Sequence, residues 1–174
     1  MRQNSRKITY AAICLALCMV LPFITGQIPQ IASALSPMHI PVLLCGFTCG
    51  PVFGGIVGFT APLLRYMLFG MPPIMPSGIP MAFELMTYGI VSGTIYSLLK
   101  KNTLNVYISL ITAMICGRIV WGLVKLFLAG LTGSAFTMEL FLAGILFGSI
   151  PGIILHIILI PLIVLALRRA KLID

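Results

Sequence analysis

The sequence predicts an all-α integral membrane protein with six transmembrane helices, both termini cytoplasmic and a short, recessed second helix. Three observations carry this. Of 174 residues, 60% are hydrophobic and only 8% charged, with a mean hydropathy of +1.15; a soluble fold of this length cannot hide so much apolar surface behind a polar exterior. Apolar runs recur at close to the length of about 20 residues that crosses roughly 30 Å of hydrocarbon. Finally, the net charge of +8 gathers chiefly in three places: Arg2, Arg6 and Lys7; Lys100 and Lys101; and Arg168, Arg169 and Lys171. Cations collect on the cytoplasmic side of spans, so these clusters mark one face and are not a nucleic-acid footprint.

The elements follow in order. The first helix covers about Ile8 to Thr25, and is retained, since the small-residue stretch Ala32-Ser33-Ala34 lies too far beyond its apolar core for signal cleavage. The second runs only from about Met38 to Cys49 and stops at Gly50-Pro51. At about 1.5 Å per residue it reaches about 18 Å, well short of a crossing. The stretch before it, 26–37, must then dip into the bilayer, which irregular backbone tolerates only against protein or a water-filled cavity. A cavity open to the outside is expected there. The third helix takes about Gly50 to Gly70, the fourth about Ile79 to Leu99, the fifth about Leu104 to Leu131, and the sixth about Glu139 to Leu167. The outer loops 26–37, 71–78 and 132–138 are longer and richer in Pro, Gly and Ser than the inner ones, as a lid over a binding site requires. The whole chain, 1–174, reads as one membrane domain.

Small residues repeat at four-residue spacing: Gly50, Gly54 and Gly58, then Gly89 and Gly93, then Gly144, Gly148 and Gly152. Such ridges let backbones approach closely in lipid. Ala12 and Ala16 form a similar patch on the first helix. The five cysteines fall within spans and read as small packing residues. With only His39 nearby in sequence, no metal site is expected.

Charges inside the spans carry the functional signal. Only three carboxylates exist, Glu84, Glu139 and Asp174, and Glu84 lies within a span. Counting from the helix ends places Arg65 and Glu84 at one depth on adjacent antiparallel helices. On the fifth helix Arg118, Trp121 and Lys125 share a face, and His39 stands at the recessed start of the second. A charge at the bilayer centre costs about 2.5–3.5 kcal/mol, so such residues face a cavity, one another or a ligand. Arg65, Arg118 and Lys125 outnumber Glu84, which points to a small ligand with an anionic group. Trp121 and Tyr88, with Tyr66, Phe59 and Phe83, are candidate walls. His156 is placed in the inner half and reads as a packing histidine. There is no phosphate-binding loop, acidic metal cluster or nucleophile–base set, so the chain is not read as an enzyme and needs no cofactor.

The segments HIPVLLCGFTCGPVFGGIVGF (39–59) and PMAFELMTYGIVSGTIY (80–96) resemble the substrate-binding S components of energy-coupling factor (ECF) vitamin transporters. The resemblance extends over the whole chain in length and span count, and includes Ala12-x-x-x-Ala16. It implies a bacterial plasma-membrane subunit that captures one micronutrient from outside under the loops between helices one and two and between three and four. It also implies partners, namely a shared transmembrane coupling subunit and two ATP-binding subunits, with Ala12 and Ala16 as the docking face. The charge count favours pantothenate, folate or niacin over a neutral or cationic compound. The rival readings are a stand-alone secondary transporter or channel, against which no internal repeat is visible, and a membrane-embedded enzyme using Glu84 with His39.

Overall fold

A computed structural model describes residues 2–24, 36–100, 102–132 and 150–170. Six α-helices lie among them: α1 (Arg2–Ile24), α2 (His39–Cys49), α3 (Pro51–Phe69), α4 (Ile79–Leu98), α5 (Thr103–Thr132) and α6 (Ile150–Arg169), with a π-helical turn at Ile74–Gly78 leading into α4. No strand occurs among the described residues. Stretches of α1, α3, α5 and α6 are long and apolar enough to cross a membrane. α2 is too short, and α4 is diluted by Glu84 and by small and hydroxyl-bearing residues. Apolar side chains cover the outside, among them Val20, Val52, Ile56, Met67, Leu123, Phe127, Ile158 and Leu162. This is an all-α membrane protein.

Helix bounds follow local chemistry. The turn from α2 to α3 is a single residue, Gly50, at φ 92 and ψ 178, a backbone state that only glycine adopts without strain. Pro51 follows at the first position of α3, where its missing N–H costs nothing. α3 ends on Gly70 in the left-handed conformation, φ 68, its N–H bonded to the Tyr66 carbonyl. α5 is entered through Asn102, whose side chain accepts from the Asn105 N–H at 2.8 Å. Hydroxyls within the helices bond back to carbonyls four residues earlier, as at Thr48, Thr60, Thr87, Thr94, Ser109 and Thr112, which satisfies them where lipid offers no partner. α1 begins about two turns earlier than the apolar run alone indicates, carrying Arg6 and Lys7 on helical backbone. The expected start of the sixth helix at Glu139, and Gly144 and Gly148, lie outside the described residues.

α2 is the centre of the bundle. Nine of its 11 residues are buried, and it touches α1, α3, α4 and α6. The glycine ridges explain how so many helices crowd around it. A side chain on Gly46 would meet the Gly89 carbonyl at 2.7 Å, one on Gly54 would meet Gly46 and Gly89 backbone at 2.8 Å, and one on Gly93 would strike the Pro51 nitrogen at 2.6 Å. α2, α3 and α4 therefore touch backbone to backbone. The pairs Gly54–Gly89 and Gly58–Leu85 run in opposite senses, so α3 and α4 are antiparallel.

That register corrects the depth expected for Arg65. Continued along the two helices, it sets Glu84 opposite Phe59, consistent with the 5.6 Å ring contact between Phe59 and Phe83. Arg65 then stands opposite Gly78, about 9 Å higher toward the end where α2 begins. Counting from helix ends missed this because α3 and α4 are offset by the π-helical turn.

Gly89→Val forces a branched side chain into the α3 backbone and should cost about 3 kcal/mol or more, the upper range for overpacking. Gly130→Ala, with nothing within 4 Å of the added carbon, should be neutral or slightly stabilising. Thermal unfolding in detergent, followed by the single tryptophan, checks both. Equal midpoints for the two variants would contradict the backbone contact.

Candidate functional site

The interior charge sits at the top of α2. Glu84, on the second turn of α4, is 2% exposed. Three groups converge on its Oε1: the Tyr88 hydroxyl donates at 3.0 Å, Arg118 Nη1 lies at 3.3 Å, and His39 Nε2 lies at 3.7 Å, in ion-pair range but too far for a hydrogen bond. Tyr88 reaches Glu84 because residues four apart on a helix stack on one face. Arg118 arrives from α5, and its close neighbour Gly117 makes this possible: any side chain there would overlap the Tyr88 ring.

His39 and His156 complete the cluster. Their rings stack at 5.8 Å with an interplanar angle of 19°, and His39 also meets the Tyr88 ring edge-on at 5.3 Å. Four α-helices, α2, α4, α5 and α6, thus contribute one or two polar side chains each. Both ring nitrogens of His39, Nε2 of His156 and Nε of Arg118 are buried with no hydrogen-bond partner among the described residues. Buried polar atoms are nearly always satisfied, so this cluster is a candidate place for a polar molecule. Above it on α5, Trp121 receives Arg118 at 5.9 Å and Lys125 at 4.7 Å from its ring centre.

Of the residues expected from the sequence, His39, Glu84, Tyr88 and Arg118 come together, with Trp121 and Lys125 adjoining. Arg65 does not join them. Its guanidinium donates to the Met19 carbonyl at 2.6 Å and lies 5.1 Å from the ring centres of both Phe23 and Phe69. Of the three cations expected near Glu84, Arg118 is the one in ion-pair range of it. Tyr66 is exposed, and Phe59 and Phe83 pack on each other at the α3–α4 surface. His156, expected in the inner half, is at the level of His39. The signal that could have found it is the cost of an unpaired imidazole inside an apolar span.

Chemically, the cluster offers a carboxylate acceptor, cationic and imidazole donors, and aromatic faces. It lacks an activated nucleophile, and no group of three metal-ligating side chains gathers among the described residues. The four buried cysteines Cys14, Cys18, Cys45 and Cys49 are free thiols between α1 and α2. A groove of about 470 Å³ between α3 and α4, lined by Pro51, Gly55, Ile56, Phe59, Met86 and Ile90 among others, presents no polar surface and faces the lipid side. It suits an acyl chain better than a polar ligand.

A family model for the substrate-specific component of ECF transporters matches residues 6–168. The chain belongs to that family. The riboflavin transporter RibU of Staphylococcus aureus (strain TCH60) is 32% identical over 177 residues, covering 93% of this chain and 90% of the relative. No solved structure matches significantly. The ECF component described here is thus a vitamin-uptake, substrate-binding membrane subunit and not an enzyme.

The Glu84–Arg118 contact should behave as one unit. With side chains 3% and 13% exposed, removing either partner strands a buried charge and should cost about 3–5 kcal/mol. Glu84→Gln combined with Arg118→Met should cost less than the two single changes added together. Thermal midpoints of the four proteins in detergent measure this, and additive losses would show that the two groups do not interact.

Proposed function

We propose that this chain is the vitamin-capturing subunit of an ECF importer in a bacterial plasma membrane. Its His39 end opens outward, and it delivers its ligand through a transmembrane coupling subunit driven by two ATP-binding subunits. The observation that carries this reading is the buried His39–Glu84–Arg118 cluster, with ring and guanidinium nitrogens that have no hydrogen-bond partner among the described residues. The positive residues Arg6, Lys7, Lys100 and Arg169 at the opposite end support the orientation. Ala12 and Ala16 are exposed while Ala11, Cys14 and Cys18 of the same helix are buried. That exposure supports a docking face for the coupling subunit, since small residues admit a partner helix closely.

Riboflavin is the ligand we propose first. The Staphylococcus aureus relative is named a riboflavin transporter. A neutral ring system bearing hydrogen-bond donors and acceptors suits a cluster in which Glu84 already balances Arg118. Trp121 and Tyr88 supply aromatic faces. An anionic vitamin such as pantothenate, folate or niacin is the second reading. It is favoured by the buried Arg118 Nε, which has no hydrogen-bond partner among the described residues, with Lys125 on the same face. Arg65 no longer contributes to this charge argument, because it engages α1.

Mass spectrometry of the small molecule retained on purification separates the two readings, together with quenching of flavin fluorescence on titration. Riboflavin should bind, and pantothenate, folate and niacin should not displace it. Arg118→Ala should weaken riboflavin binding tenfold or more, since a hydrogen bond to a charged group contributes about 1.5–3 kcal/mol. Retention of a carboxylate-bearing vitamin, with no flavin quenching, would select the second reading. Unchanged affinity in Arg118→Ala for whichever vitamin is retained would remove the cluster from the site.

A further inference from the structure

Arg65 is a buried cation that the binding cluster does not use, and its surroundings are specific. α2 is short, and at Arg65 the bundle has risen about one turn above its first residue, by the register of Gly54 against Gly46. In the space above α2, α1 and α3 meet directly and run parallel: Met19 faces Arg65, and Phe23 faces Phe69 four residues later on both helices. The guanidinium lies within reach of both rings, which themselves contact edge-on at 5.0 Å. Its acceptor is the Met19 carbonyl of α1, to which it donates at 2.6 Å. Pro22 sits inside α1; it lacks the N–H that would bond the Cys18 carbonyl, so the hydrogen-bond ladder of α1 is weakened in the turn that carries Met19. The charged donor adds a tie from α3 at that turn.

We propose that Arg65 is a positioning residue, a clamp that ties the end of α1 at Met19 and Phe23 to the end of α3 from which the loop to α4 departs. This rests on the reading of α1 as the docking helix. Through the clamp, the helix that carries Ala12 and Ala16 and the loop to α4 move as one body. Arg65 then governs delivery of the ligand and not its affinity.

The test uses the full chain assembled with its coupling and ATP-binding subunits in proteoliposomes, with riboflavin as the probe. Arg65→Met should lower the maximal uptake rate tenfold or more while the KM for riboflavin stays within threefold. Arg65→Lys, which keeps a charge and a donor, should recover most of the rate. Hydrogen–deuterium exchange of residues 17–24 in the isolated chain should accelerate at least tenfold in Arg65→Met. Phe23→Leu, which removes one of the two rings that hold the guanidinium and alters no charge, should also lower the rate at constant KM, and it decides the matter alone if Arg65→Met fails to fold. A KM raised tenfold would make Arg65 a ligand contact, and an unchanged rate in either variant would make it mere packing; both overturn the clamp. Absence of riboflavin uptake by the unaltered protein would count against the ligand assignment only, because the exchange measurement tests the clamp without ligand.

Discussion

Placing one carboxylate, Glu84, inside a bundle surrounded by lipid is the constraint on which the rest of the arrangement depends. An ionised group there must be met by opposite charge and hydrogen bonds or it destabilises the fold by several kcal/mol. The structure meets it from three elements: Tyr88 one turn along α4, Arg118 from α5 and His39 from α2. Each contact imposes its own requirement on the sequence. Gly117 must lack a side chain so that Tyr88 and Arg118 can share the space. α2 must begin within the bundle, so that His39 heads it at the level of Glu84. The short second helix and the buried carboxylate are two aspects of one design.

Shortening α2 has a second consequence. It leaves a level of the bundle at which α1 and α3 are immediate neighbours, and there Arg65, Phe23 and Phe69 assemble around the Met19 carbonyl. The two arginines in the upper half of the bundle therefore differ in kind. Arg118 faces a carboxylate and an indole ring, whereas Arg65 faces backbone and two phenyl rings. A simple count of buried cations treats them alike.

Much of this was legible in the sequence because it depends on local chemistry. Gly50-Pro51 bounded α2 and α3, the loop at 71–78 separated α3 from α4, and the three- and four-residue spacings put Arg118, Trp121 and Lys125 on one face. Gly54 and Gly89 announced close helix contact. What could not be read was the vertical offset between helices. The partner of Glu84 depends on a shift of about 9 Å between α3 and α4, which is set by the π-helical turn and by glycine contacts distant in sequence. The same ambiguity hid His156, since its depth depends on where α6 enters. Pairing across helices is a tertiary property, and composition gives only the list of candidates.

We propose the buried cluster at the head of α2 as the place where the vitamin binds. The chain contains only two histidines, His39 and His156, and they stack at the centre of that cluster. Selective 15N-histidine labelling therefore yields a spectrum in which every ring signal reports on the site. Titration with riboflavin, or with the vitamin retained on purification, should shift the ring resonances of both histidines and saturate at the same concentration as an independent binding measurement. Saturated binding with both imidazole signals unmoved would place the ligand elsewhere and contradict the account.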